Sequence, residues 1–177
     1  MGKHYSGVGS RQTPAEICAR MTRIAKALQK RGYILRSGGA DGADEAFEVG
    51  AGDQKEIYLP WRGFNGSDSP RHVVTAAAIA KSLEYHPAGQ YLKPPVQKIM
   101  GRNAYQVLGE DLNSPSEFVV CWTPFGIENI QKAGGTGQAL RIALDYGIPI
   151  FNLREADALE QLKGFINERR QTSRKDA

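Results

Sequence analysis

Histidine and cysteine are scarce in this chain. Three histidines (His4, His72, His86) and two cysteines (Cys18, Cys121) are scattered over 177 residues. None of them has metal-ligand spacing, so no metal site is expected. Two cysteines far apart make no disulfide framework, which fits a reducing cytoplasm. No Ser-His-Asp or Cys-His arrangement can be assembled from spacing, and no cofactor is expected. No apolar run reaches about 18 residues, so neither a transmembrane helix nor a membrane partner is expected. The start, Met1-Gly2-Lys3-His4-Tyr5, runs straight into a strand and has no signal-peptide core.

A large charge of either sign is also missing. Lysine and arginine total 23 against 19 acidic residues, a formal net charge of +4. Residues 170–177 hold three basic and one acidic side chain, half of that excess, and read as a polar, disordered tail. The remainder is weakly basic, which favours a local anion site over a broad nucleic-acid surface.

What the chain does have is a regular alternation. Lys3 to Val8 reads as a strand that ends in Gly9-Ser10-Arg11. Thr13-Pro14-Ala15-Glu16 then opens a helix, with Thr13 as cap and Pro14 in its first turn. Ile17, Met21, Ile24, Ala25 and Leu28 form its apolar stripe. Tyr33 to Arg36 is a second strand, followed by a glycine loop and a helix to about Gly50, and Glu56 to Leu59 is a third. This β-α-β-α-β order predicts an α/β fold, a Rossmann-like doubly wound parallel sheet. Residues 60–115 break the rhythm with two helices, from Ser69 and from Pro94, read as a helical elaboration between strands three and four. Phe118 to Trp122 is near-continuously apolar, as a central parallel strand should be. A loop to Ala133, a helix from Gly137, a strand over residues 148–153 and a helix to Arg169 complete one domain of about five strands over residues 1–169.

Ligands of such sheets sit beyond the carboxyl ends of the strands. The unusual composition falls there. Gly9-Ser10-Arg11 follows the first strand, and Ser37-Gly38-Gly39-Ala40-Asp41-Gly42-Ala43-Asp44 follows the second. Trp61 follows the third strand, and Trp122-Thr123 with Gly134-Gly135-Thr136-Gly137-Gln138 follow the fourth. Small loops at helix N-termini expose backbone N–H groups and admit phosphate, though they also serve as plain tight turns. Ser10, Ser37 and Thr136 are phosphate contacts or helix caps. Arg11 at a strand end suits an anion. Asp41 and Asp44 complement a helix dipole, or bind a ribose or base edge. Trp61 and Trp122 are core residues or stacking partners for a base. Arg102-Asn103, on the elaboration, leans two polar groups toward the same edge.

The loop over residues 37–44 resembles the Ser-Gly-Gly-Ala-x-Gly-x-Asp signature of the SLOG superfamily. That superfamily spans DprA-type DNA-processing proteins, YspA-like proteins, molybdenum-cofactor carriers and the LOG enzymes. Gly9-Ser10-Arg11 and Gly134-Gly135-Thr136-Gly137 are similar to its first and later loops, in the same order, over residues 3–153. The nearest likeness is to the small DprA/YspA-like proteins often encoded by phages. The resemblance implies a nucleotide pocket and a homo-oligomer. Against the LOG motif Pro-Gly-Gly-x-Gly-Thr-x-x-Glu, this chain has Ala133, Gln138 and Arg141 in place of proline, threonine and glutamate.

Three functions follow as expectations. The first is binding of a nucleotide or nucleotide-derived small molecule, such as a signal that is sensed or sequestered. The second is N-glycosidic hydrolysis of a nucleoside monophosphate, with Asp41 or Asp44 as catalytic candidates. The third is single-stranded DNA binding, the less favoured partner.

Overall fold

Residues 118–121 show how the sheet is built. All four are fully buried. Phe118 and Val120 join one core cluster; Val119 and Cys121 join another. A strand buried on both faces belongs inside a parallel sheet with helices on each side. The computed structural model has that arrangement. It describes residues 2–175, with the backbone alone for residues 90 and 173–175.

Strands β1 (Lys3–Gly9), β2 (Tyr33–Ser37), β3 (Lys55–Ile57), β4 (Val119–Trp122) and β5 (Ile150–Asn152) form one sheet. Their order is β3-β2-β1-β4-β5, and every pairing is parallel. The register sets Ser6 of β1 beside both Arg36 and Val119. Helices α1 (Ala15–Gln29), α2 (Ala43–Ala51) and α6 (Ala158–Lys175) cover one face. Helices α4 (Pro94–Leu108) and α5 (Gly134–Asp145) cover the other, and α3 (Ala76–Leu83) packs on α4. The fold is thus the α/β, Rossmann-like sheet that the alternation predicts, with the helical elaboration between β3 and β4. The chain winds outward from β1 to β3, then crosses to β4 and β5. The loops after β1 and β4 therefore part, and a crevice opens at the carboxyl ends of the strands.

Phe118 centres the larger core. The rings of Tyr33, Phe165, Tyr5 and Phe151 surround it, with centroids 5.3, 5.6, 5.8 and 6.1 Å away. Tyr5 stacks on it, and the other three meet it edge-on. These rings come from β1, β2, β5 and α6, so one side chain ties the first face together.

Several local expectations differ from the structure. Thr13 does not cap α1; its hydroxyl donates to the Ser10 carbonyl (2.6 Å), and Pro14 is the N-cap. No helix starts at Ser69. The Arg71 carbonyl accepts from the Leu59 N–H (2.8 Å), which holds this segment extended beside the end of β3. Helix α3 begins only after Thr75, whose Oγ1 accepts from the Ala78 N–H. Residues 127–132 form a short 3₁₀ segment where a loop was expected. Helix α6 continues to Lys175 through most of the stretch read as a disordered tail; residues 176 and 177 lie outside the described residues.

Glu56 on β3 collects charge. It accepts from Arg36 Nε and from the Tyr58 hydroxyl, each at 2.8 Å. His4 and Arg71 face it at 3.4 and 3.6 Å. Burial pushes the Glu56 carboxyl up, but the hydrogen bonds from Arg36 and Tyr58 outweigh burial and hold it below its ordinary value. A carboxyl lowered in the folded state adds stability above its unfolded pKa, and that stability is lost as pH falls. Glu56→Gln is expected to flatten the fall in melting temperature between about pH 5 and pH 3. Melting curves across that range check it; an unchanged slope counts against the Glu56 cluster as an acid-sensitive element. Phe118→Ala is expected to cost about 3–5 kcal/mol in urea denaturation, from lost transfer energy and the cavity left among four rings.

Candidate functional site

A cavity of about 430 Å³ occupies the crevice. Gly9, Ser10 and Arg11 reach it from the end of β1, and Ala40 and Asp44 from the loop and first turn of α2. Met100, Arg102, Asn103 and Gln106 reach it from α4, and Gly134-Gly135-Thr136 from α5. Phe64, Val96 and Ile99 make its apolar side. A larger groove of about 670 Å³ runs along the β5 edge. It contains none of the four converging segments, so the crevice is the better candidate for chemistry.

The wall is organised around a buried ion pair. Asp44 Oδ2 accepts from the N–H groups of Gly38 (3.2 Å) and Ala40 (3.3 Å) and lies 3.5 Å from Arg102 Nη1. Both residues are buried. Burial pushes the Asp44 carboxyl above the usual carboxylate range, although Arg102 and the two N–H groups pull it back. Burial likewise pulls the Arg102 guanidinium down, against Asp44. Arg102 Nε is buried with no hydrogen-bond partner. A Cβ at Gly38 would meet the Arg102 guanidinium and the Gln106 amide, so these side chains hold their places only against glycine.

Polar contacts continue from Arg102 along α4. With its amide oxygen toward Arg102, Gln106 accepts from Nη1 (3.2 Å) and from the Gly38 N–H, and donates to Asn103 Oδ1 (3.1 Å). Asn103 Nδ2 donates to Gln138 Oε1 (2.8 Å) and the Gly135 carbonyl (3.2 Å). Gln138 Nε2 donates to the Ser82 carbonyl (2.9 Å). The Ser6 hydroxyl of β1 donates to the Gln106 carbonyl (2.6 Å), fixing α4 to the sheet.

The second glycine loop is itself a helix. Residues 134–136 form the first turn of α5, not a loop before it. Gly137 fits because a Cβ there would run into the Ile130 carbonyl. No side chain caps α5, so its first N–H groups have no intrahelical acceptor and border the cavity with partial positive charge.

The remaining expected residues stand behind these walls. Ser37 is buried and donates to the Gly7 carbonyl (2.7 Å), joining β2 to β1. Asp41 is exposed; its Oδ1 accepts from Asn65 Nδ2 (2.9 Å), which also donates to the Gly39 carbonyl (3.2 Å). Trp61 meets the Phe64 ring edge-on, with centroids 5.3 Å apart. Trp122 packs on the larger core. Thr123 is buried, and its Oγ1 accepts from the Phe125 N–H (3.2 Å). Gly137 and Gln138 support Asn103 and α5 from behind. Phe64 and Gln106 were missed as site residues, and Val96, Ile99 and Met100 read from the sequence only as the apolar face of the helix that Pro94 opens. Gln106 had a usable signal, since it lies one turn from Arg102 on the same helix face.

Removing one partner of a buried ion pair strands the other charge. Asp44→Asn and Arg102→Met are each expected to cost about 3–5 kcal/mol in urea denaturation. The double variant should lose clearly less than the sum of the two. Additive losses would mean that the pair does not act as a unit.

No family model and no curated protein matches the chain. Among solved structures, it is similar to DNA processing protein A from Helicobacter pylori, described for its unique single-stranded DNA binding mode. The likeness has a TM-score of 0.52 and 17% identity, and covers 92% of this chain and 72% of that one. The fold of this chain is thus the DprA-like Rossmann fold.

Proposed function

We propose that the crevice binds a nucleotide or nucleotide-derived small molecule. The observation that carries this reading is the convergence of Ser10-Arg11, the Asp44–Arg102 pair, Asn103 and the uncapped first turn of α5 on one cavity. The volume is in the range of small-ligand sites, about 300–1,000 Å³. Phosphate belongs at the first turn of α5 and Arg11, where N–H groups and a guanidinium supply positive charge. A base belongs at the other side, against Phe64, Val96 and Ile99. Asp44, already engaged with Arg102, faces the middle of such a ligand.

A second reading, N-glycosidic hydrolysis, draws support from Asp44. Its carboxyl lines the cavity, where burial pushes it up against the pull of Arg102. Asp41 is the weaker candidate, since its side chain is exposed and tied to Asn65. A third reading, single-stranded DNA, draws on the likeness to the Helicobacter pylori protein.

The protein is to be incubated with a panel of nucleotides, including cyclic and ADP-ribose-type compounds, then denatured and its ligand identified. An unchanged nucleotide is the expected result. Free base, lost in Asp44→Asn, would favour hydrolysis. Thr136→Glu places a carboxylate at the phosphate end, and is expected to weaken binding at least about tenfold by calorimetry. Undiminished affinity in that variant would remove the phosphate from α5.

A further inference from the structure

The sheet has two edges, and they are finished differently. Beside β3 the chain covers its own edge. The Ser69 hydroxyl donates to the Ile57 carbonyl (2.5 Å), and the Arg71 carbonyl accepts from the Leu59 N–H (2.8 Å). At β5 the register shows which groups are left over. The Pro149 carbonyl accepts from the Val119 N–H, and the Leu153 N–H donates to the Cys121 carbonyl, both at 2.8 Å. Alternate residues of a parallel strand bond to the same neighbour. Phe151 therefore faces β4, while Ile150 and Asn152 turn their backbone groups outward. The Asn152 carbonyl is taken by the Glu155 N–H (2.9 Å). The Ile150 N–H, the Ile150 carbonyl and the Asn152 N–H have no partner among the described residues.

Ile150 and Asn152 line the groove of about 670 Å³ that follows β5. Its two sides differ. Ile127, Ile130, Leu140 and Leu144, from residues 127–132 and α5, make one side apolar. Ile127 and Leu144 are 49% and 48% exposed, unusual for side chains of this kind. The turn after β5 and the start of α6 bring Glu155, Asp157 and Gln161 to the other side. Glu128, also exposed, lines the groove beside Ile127. Arg154 is the single cation, and its Nη1 already lies 2.7 Å from Glu155 Oε1. Three carboxylates and one guanidinium give the groove a net charge of −2, in a chain whose formal excess is +4.

These features select an occupant. Successive side chains of a strand point to opposite faces of its sheet. A segment paired with β5 therefore presents every second side chain to the apolar side and the others to the carboxylates. A nucleic acid is repelled by the charge. Two copies of β5 paired antiparallel about a twofold axis would set Glu155 and Asp157 of one against those of the other, and like charges oppose that contact. Pro149 and the three-residue length of β5 also blunt open-ended pairing, while leaving room for a short segment.

We propose that the β5 edge binds an extended peptide segment in which apolar and basic residues alternate, added to the sheet as a sixth strand. Its backbone satisfies the free groups of Ile150 and Asn152, its apolar side chains lie on Ile127 and Leu144, and its cations face Glu155 and Asp157. This surface is independent of the crevice and its ligand.

Fluorescence anisotropy of a dye-labelled Lys-Val-Lys-Val-Lys amide tests this proposal. The peptide is expected to bind, and to bind more weakly as salt rises. The same peptide methylated on its backbone nitrogens, and Glu-Val-Glu-Val-Glu amide, should each bind at least about tenfold more weakly. Glu155→Gln/Asp157→Asn removes two carboxylates and keeps their shape; it should reduce affinity about fivefold and lessen the salt dependence. Leu144→Ser trims the apolar side and should reduce affinity roughly tenfold, with melting temperatures as a check on folding. The proposal fails if the peptide does not bind at about 1 mM, if the methylated or the acidic peptide binds as well, or if neither variant weakens binding. It fails also if the protein sediments as a dimer that Leu144→Ser dissociates, since a second copy then fills the groove. None of these outcomes bears on the nucleotide in the crevice, because that ligand is identified separately.

Discussion

The crevice depends on the buried pairing of Asp44 with Arg102. Two charges out of water are costly unless each finds partners. Here the partners come from three places: the loop N–H groups of Gly38 and Ala40, the Gln106 amide, and the opposing charge itself. Meeting that requirement fixes α2 against α4. Through Asn103 and Gln138 the same chain of contacts reaches α5 and the end of α3. The apolar clusters hold the helices on the sheet. The polar chain sets how the helices meet at its carboxyl edge, and so the shape of the cavity.

The two ends of the sheet differ in how they treat charge. At the carboxyl end, the Asp44–Arg102 pair is buried. At the amino end, charge is exposed and carried on long side chains. Buried pairs position a ligand of defined shape, whereas exposed charges are screened by salt. A single winding rule produces both ends. Parallel strands send all their following loops to one edge and receive all their preceding helices at the other.

Much of the fold was legible in the sequence because burial on two faces leaves a strong mark. Phe118 to Trp122 reads as an interior strand, and Ile17 to Leu28 as one helix face, with no knowledge of neighbours. The glycine loops marked the carboxyl edge of the sheet, where they border one cavity. What was not legible depends on backbone phase and tertiary pairing. Asp41 and Asp44 look alike in the sequence, yet Gly42 (φ +78°) turns the chain between them. One carboxylate ends in solvent and the other in the wall. Ser69-Pro70 is a good helix start overridden by the bond between Arg71 and Leu59. Phe64, Val96 and Ile99 line the cavity only because the elaboration folds back over the edge, which no local pattern encodes.

Two helices begin at the crevice, and they begin differently. Helix α2 carries Asp44 in its first turn, and that carboxylate is spent on the N–H groups just before it. Helix α5 begins with glycines and threonine, and offers its N–H groups uncovered. The cavity therefore has unlike poles, a paired carboxylate at one and uncapped N–H groups at the other. A symmetric anion gains nothing from this difference, but a ligand with an anionic head and an uncharged body can lie in one direction only. Orientation is thereby built into the walls before any ligand arrives.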